Sequence, residues 1–182
     1  NQESRLPPGS DFRRWVWITI APFVTAVDNL IFKGKLIVPD CTVNNGNPVE
    51  TNFGDIEIQT LAAANTGYHW ENIRVPVNCP YSLGAPKIRL TGSQAAGARN
   101  SIKTSRYDAE KLVIYLHQGT KDNLGKAINL GSYQKIAGNA ISNTGGTQYE
   151  IRLAAGVGRE GGMELLTAGP FEASASMEVR YE

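Results

Sequence analysis

The chain has 182 residues, 18 Lys and Arg against 17 Asp and Glu, and a formal net charge of +1. Because the basic residues are scattered along the chain rather than gathered in a stripe, nucleic acid and anionic membranes are not expected partners. A chain of this length forms one domain, or one domain with a processed leader. Its 19 Gly, with Asn, Ser and Thr between short apolar runs, predict an all-β protein rich in turns.

Residues 1–26 have the pattern of a secretory signal peptide. An Arg pair precedes an apolar run, and Val24 and Ala26 stand at the −3 and −1 positions of a cleavage site after Ala26. The apolar run is too short to span a bilayer. The alternative is that residues 15–20, WVWITI, form an ordered strand.

Residues 27–38 alternate in the manner of an edge strand. One face carries Leu30, Phe32, Gly34 and Leu36. The glycine in this apolar row permits a close approach of another backbone.

The two cysteines, Cys41 and Cys79, each lie in a strand-like run. In an exported protein they can form one disulfide, closing a loop of about forty residues and stabilising the fold by roughly 3–4 kcal/mol. In a cytosolic protein they would be two buried thiols.

Short strand-like runs fill the middle of the chain. Residues 53–61 and 72–79 alternate, residues 87–92 follow a turn, and residues 111–118 are apolar on both faces, as expected of a central strand. Residues 127–138 and 147–156 supply two or three more. Seven to nine short strands separated by turns predict a β-sandwich.

The last twelve residues, FEASASMEVRYE, alternate without a break. The apolar positions are Phe171, Ala173, Ala175, Met177, Val179 and Tyr181. Fully burying the four large side chains would contribute roughly 1.5–3 kcal/mol each, so this face of the predicted strand must be covered.

Three further patterns have simpler structural interpretations. Residues 156–161 match G-x-G-x-x-G, but no helix follows, so we predict a flexible hairpin loop rather than a dinucleotide site. His69 and His117 lack partners at metal-ligand spacing, and no metal, cofactor or enzymatic activity is expected. Trp70, beside Tyr68, could stack on a sugar, but a core contact is favoured.

The sequence resembles the pilin subunits of chaperone–usher fimbriae over nearly all of residues 27–182. The similar segments are VDNLIFKGKLIVPDCTV, NFGDIEIQTL, VNCPYSLG, LVIYL and LTAGPFEASASMEVRYE. Gly169, fourteenth from the end, and the penultimate Tyr181 match the family's C-terminal signature. Phe32-Lys33-Gly34 matches its N-terminal F-x-G, and the two cysteines match its single disulfide.

This resemblance implies an incomplete immunoglobulin-like β-sandwich that is completed by a donor strand. Residues 1–26 would be the leader, 27–38 the donor-strand extension running into the first strand, and 39–182 the pilin domain. The donor residues would be Leu30, Phe32, Gly34 and Leu36. The acceptor groove and chaperone-binding strand would comprise Gly169, Phe171, Ala173, Ala175, Met177, Val179, Tyr181 and Glu182.

The implied partners are a periplasmic chaperone, an outer-membrane usher and neighbouring pilus subunits. The protein would be exported through the periplasm to a fimbrium at the cell surface, where it would contribute to bacterial adhesion. The alternative is a fimbrial adhesin that binds a host glycan. Adhesins of this family carry a receptor domain before the pilin domain, so we expect a structural subunit.

Overall fold

The computed structural model describes residues 27–182, so the predicted signal peptide and its alternative strand lie outside the described residues. The chain divides into two units, Asn1–Ile37 and Val38–Glu182. The larger unit contains one short helix, α1 (Tyr107–Glu110). Its strands are β1 (Thr42–Val43), β2 (Tyr68–Asn78), β3 (Pro86–Gly92), β4 (Ser101–Lys103), β5 (Leu112–Thr120), β6 (Asn123–Ala127), β7 (Gln134–Lys135), β8 (Ile141–Gly145), β9 (Gln148–Arg159) and β10 (Ala175–Tyr181).

The strands form two antiparallel sheets. The larger sheet has the order β1-β2-β9-β5-β4, with β6 paired to β5 and β8 paired to β9. The smaller sheet has the order β10-β3-β7. The arrangement confirms the all-β prediction, and β5 is buried on both faces as its continuous apolar run predicts.

One hydrophobic core joins the two sheets. Ile88 and Val179 from the smaller sheet and Val113 and Ile151 from the larger sheet are all fully buried. Val113 belongs to a second, smaller cluster with Tyr107 and Tyr115, while the other three belong to the main core. The second cluster occupies the other face of β5, which explains why both faces of this strand are apolar.

A disulfide joins Cys41 and Cys79, as the resemblance implies. It connects the residue before β1 to the residue after β2, where Thr42 pairs with Asn78. Both cysteines belong to the main core, and the bond therefore fixes one end of the larger sheet.

The hairpin prediction for residues 156–161 is wrong. Gly156 and Gly158 lie within β9, and their missing side chains leave room for aromatic rings. A Cβ at Gly156 would lie 2.7 Å from Trp70, and one at Gly158 would lie 2.5 Å from Tyr115. The glycines thus allow rings to lie against the sheet, and Trp70 makes the predicted core contact.

Two alternating segments are not strands in the structure. Residues 53–57 have no regular structure, and Ile58–Thr60 form a 3-10 turn. Residues 27–37, described by themselves, also lack regular structure. In this segment the side chains of Leu30, Phe32 and Leu36 are 72%, 89% and 101% exposed. A strand is defined by hydrogen bonds to a partner, and alternation alone supplies none.

Candidate functional site

Strand β10 has a partner along one edge. Its residues pair antiparallel with β3, from Ala175 opposite Gly92 to Tyr181 opposite Pro86. On the other edge, the Cys41 N–H donates to the Val179 carbonyl oxygen at 2.8 Å.

Backbone groups of alternate residues point to the same edge of a strand. The N–H and C=O groups of Ala175 and Met177 therefore point to the same side as the Val179 carbonyl. In the part of the chain that the structure describes, they have no backbone partner on that side. We call this stretch, from Ala175 to Met177, the open edge.

The burial of the core-facing side chains in the terminal segment decreases from Tyr181 toward Ala173. Val179 is fully buried and Tyr181 is 7% exposed. Met177 is half-buried, and Ala173 and Ala175 are exposed. The strip along these side chains, which we call the groove, is therefore covered beside the disulfide and uncovered toward the start of β10.

The closed end is held by aromatic contact between the sheets. The rings of Tyr149 in β9 and Tyr181 in β10 lie 5.8 Å apart. Burial, together with a hydrogen bond to Tyr149, raises the pKa of Tyr181 to about 12. The penultimate tyrosine of the family signature therefore ties β10 to the larger sheet.

The outer side of β10 carries a polar cluster that fastens it to its partner strand. Arg89 and Tyr133 donate to Glu178 Oε1 at 2.7 and 2.9 Å. Both bonds lower the pKa of Glu178, and the bond from Tyr133 has the larger effect. The guanidinium carbon of Arg180 lies 4.0 Å from the centre of the Tyr133 ring. The paired edge is thus reinforced by side chains, unlike the open edge.

Another aromatic residue faces the start of the groove. Phe53, in the irregular segment after β1, lies 6.3 Å from Phe171 between ring centres. Both rings are half-buried and pack against the main core. Residues 53–58 therefore place apolar side chains beside the groove without forming the backbone hydrogen bonds of a strand.

The segment that leads into β10 is attached to the turn around α1. Arg106 Nη1 donates to the Gly169 carbonyl oxygen at 2.8 Å, and the Ser105 N–H donates to the Glu172 carbonyl oxygen at 2.8 Å. Gly169 has a φ of +147°, and a Cβ there would lie 3.2 Å from Arg106 Nη1. The signature glycine is thus required by backbone conformation and by close approach.

Of the predicted acceptor residues, Ala175, Met177, Val179 and Tyr181 lie in β10. Gly169, Phe171 and Ala173 lie in the irregular segment before it, and Glu182 follows it. The predicted donor residues Leu30, Phe32, Gly34 and Leu36 lie in the separate unit Asn1–Ile37. Sequence reasoning missed Arg106 and Glu110, for which the signal was an opposite-charge pair at i and i+4. It also missed the backbone bond from Cys41.

Within residues 27–182, no group of three or more His, Cys, Asp and Glu side chains is placed to hold a metal ion. The two histidines have other contacts. His117 Nδ1 lies 2.8 Å from the Gly125 carbonyl oxygen, and His69 Nε2 lies 2.6 Å from Thr60 Oγ1. Over the same range, no helix has the length and apolar content needed to cross a bilayer.

The chain belongs to the fimbrial protein family, whose model matches residues 30–182. Fimbrial protein PrsE of Escherichia coli is 40% identical over 167 residues, covering 90% of this chain and 91% of PrsE. Fimbrial adapter PapF of Escherichia coli is 26% identical over 161 residues, covering 82% and 84% of the two chains.

The fold is also that of a solved pilus subunit. The structure of the P pilus adaptor subunit PapF superimposes with a TM-score of 0.53 and 24% identity, covering 80% of this chain and 98% of that one. The chain is therefore a structural pilus subunit with the pilin fold, and its family implies a place in a pilus at the cell surface. The relatives are fimbrial subunits, not enzymes, and they do not support the glycan-binding alternative.

Proposed function

We propose that this chain is a polymerising subunit of a chaperone–usher pilus tip and that it assembles by donor-strand exchange. Its open edge accepts an extended segment from one neighbour, and its own residues 27–38 fill the groove of another. The observation that carries the proposal is the unpaired stretch of β10, over which the core-facing side chains are also uncovered.

An exposed strand edge is a template for another strand. Strand addition supplies main-chain hydrogen bonds, each contributing about 0.5–1.5 kcal/mol net, and pockets for alternate side chains. The Cys41 bond to Val179 occupies the edge beyond Met177, so an added strand has the stretch up to Met177 at its disposal.

The proposed donor has a suitable length and chemistry. Leu30–Leu36 spans seven residues, as does Phe171–Met177, the segment that runs into and includes the open edge; each is about 20 Å of extended chain. Leu30, Phe32 and Leu36 are all more than two thirds exposed. Burying each side chain would contribute roughly 1.5–3 kcal/mol, so the added strand would be held without any nucleotide or metal.

The need to cover the open groove explains the other proposed partners. A subunit with an open groove exposes apolar surface and a strand edge, which promote aggregation. A periplasmic chaperone that lends a strand protects the groove from Gly169 to Glu182 until an outer-membrane usher exchanges that strand for the next subunit's residues 27–38. The resulting fibre contributes to adhesion as part of the pilus tip.

The two faces of the proposed donor allow a sharp test in the full chain. Phe32→Ser alters the face that enters the groove, and Ile31→Ser alters the opposite face. Both side chains are largely exposed, at 89% and 74%, so neither change removes a core contact within this chain. We expect Phe32→Ser to abolish fibre growth and Ile31→Ser to leave it near the wild-type level, as measured by electron microscopy and size-exclusion chromatography.

Deleting residues 27–37 completes the test. The shortened chain should still accept a donor peptide and should stop fibres instead of extending them. Normal polymerisation of the deletion variant, or equal loss of assembly in both serine variants, would contradict the proposal.

A further inference from the structure

The segment that precedes the open edge is fastened by a cluster of polar contacts. Arg106 donates through Nε and Nη2 to Glu110 Oε2 at 3.1 and 2.6 Å. Glu110 in turn accepts from the Thr167 N–H and Thr167 Oγ1, both at 3.0 Å, and Arg106 Nη2 also contacts Thr167 Oγ1. We call Arg106, Glu110, Thr167 and Gly169 the entrance clamp.

The entrance clamp joins the two sheets at the start of β10. Arg106 precedes α1 and Glu110 is its last residue. This helix lies between β4 and β5 of the larger sheet, whereas Thr167 and Gly169 precede β10 of the smaller sheet. The Arg106 and Glu110 side chains are only 16% and 12% exposed. An ion pair this well covered is screened less by water and salt than a surface pair.

Besides the entrance clamp, the bond from the Ser105 N–H to the Glu172 carbonyl oxygen and the contact between Phe53 and Phe171 hold this segment, and few other side-chain contacts do. Glu172, Ser174 and Ser176 line a polar cleft of about 710 Å³, together with Ser93 and Lys103. The intervening side chains, Ala173 and Ala175, are small and exposed. Because apolar packing is sparse here, fixed polar contacts must set the position of the backbone.

We propose that the Arg106–Glu110 ion pair is a positioning device for strand capture, which holds residues 167–172 so that an incoming strand meets an open edge already extended. This inference rests on the proposed strand addition. It adds a role for two side chains that do not touch the incoming strand and act only through Thr167 and Gly169.

The expected effect lies in the association rate. Without the entrance clamp, the start of β10 is ordered in only a fraction of molecules, and the apparent affinity falls by that fraction. Once the donor is bound, its own ladder holds β10 in place. Dissociation should therefore change little.

The test uses the full chain with its disulfide intact and a fluorescently labelled peptide of residues 27–38 in excess. Anisotropy after rapid mixing gives the association rate, and competition with unlabelled peptide gives the dissociation rate. For Arg106→Met we expect association to slow about tenfold, with dissociation within about twofold of wild type. Arg106→Lys should recover part of the rate, because it restores the charge but not the two-pronged geometry.

Arg152→Met is the matched control. Arg152 lies in β9, away from the open edge, and pairs with Glu150 at 3.4 Å, with exposed fractions of 22% and 29%. It also donates to the Asn139 carbonyl oxygen and to Ser142 Oγ, so it resembles Arg106 in the kinds of contact it makes. Its removal should leave peptide association unchanged.

Unchanged association for Arg106→Met, or equal slowing in Arg152→Met, overturns the positioning role while the proposed function stands. Failure of the wild-type chain to capture the peptide overturns both. If Arg106→Met does not fold, Thr167→Val replaces it, because this variant removes only the hydroxyl contacts. It should slow association about threefold, and an unchanged rate would also overturn the inference.

Discussion

The backbone N–H of Cys41 donates to the carbonyl oxygen of Val179 at 2.8 Å. This bond divides β10 into a closed end, beside the disulfide, and an open edge toward Ala173. The open edge and the exposed alternating segment of residues 27–37 are the two features on which the proposed strand addition rests.

Removing the disulfide should weaken the fold considerably. The bond joins residues 38 positions apart, and loop-closure entropy for such a loop corresponds to roughly 3–4 kcal/mol. We expect the double variant Cys41→Ser, Cys79→Ser to lose about this much free energy of unfolding in guanidinium titrations. A loss below about 1 kcal/mol would show that the closed end does not depend on the bond.

Gly169→Ala should destabilise the protein by about 1–3 kcal/mol, because alanine rarely adopts a φ of +147° and its Cβ would lie 3.2 Å from Arg106 Nη1. Gly138→Ala is the control, since no heavy atom lies within 4 Å of a Cβ there. Chemical denaturation of both variants distinguishes a specific requirement at Gly169 from a general effect of replacing glycine. Equal stabilities would refute the requirement.

Gly156→Ala should force Trp70 off the sheet, because the new Cβ would lie 2.7 Å from the indole ring. We expect a loss of about 1–3 kcal/mol and a change in the near-ultraviolet circular dichroism of the tryptophan. In a Trp70→Phe background the same substitution should cost less, since the two sites share one contact. Additive losses would argue against the contact.

Stability should fall at alkaline pH. Burial raises the pKa of Tyr181 from 10.0 to about 12, so the folded state retains a proton that the unfolded state releases. The contribution is complete below pH 10 and is lost as the pH rises toward 12. Denaturation at several pH values should show this decline, and Tyr181→Phe should show a smaller one. An identical decline in both proteins would contradict the assignment.

Several of the strands with partners in the same chain were predictable from sequence, but β4, β6 and β8 were not. The apolar run of β5 corresponds to burial on both faces, whereas the alternation of β10 corresponds to burial at Val179 and Tyr181 but not at Ala175. Residues 53–61 were wrongly predicted as a strand, and residues 27–38 form no ladder within this chain, because periodicity reports which side chains share a face and not whether a ladder partner is present. Likewise, Gly156 and Gly158 were assigned to a loop because their ring contacts come from distant residues.

The entrance clamp shows why part of the site could not be predicted. Arg106 and Glu110 are separated from Thr167 and Gly169 by more than fifty residues of sequence. Only the i, i+4 charge pair was visible, and such pairs commonly stabilise exposed helices by a few tenths of a kcal/mol. Their attachment to the start of β10 depends on how the two sheets meet.

The most direct measurement of strand acceptance is residue-resolved hydrogen exchange of β10 with and without the peptide of residues 27–38. Alternation places the Ala175 and Met177 amides on the open edge and the Ser176 and Glu178 amides on the β3 side. The account predicts that the peptide slows exchange at Ala175 and Met177 by at least about tenfold and changes the other two much less. No protection at Ala175 and Met177, or equal protection at all four amides, would contradict it.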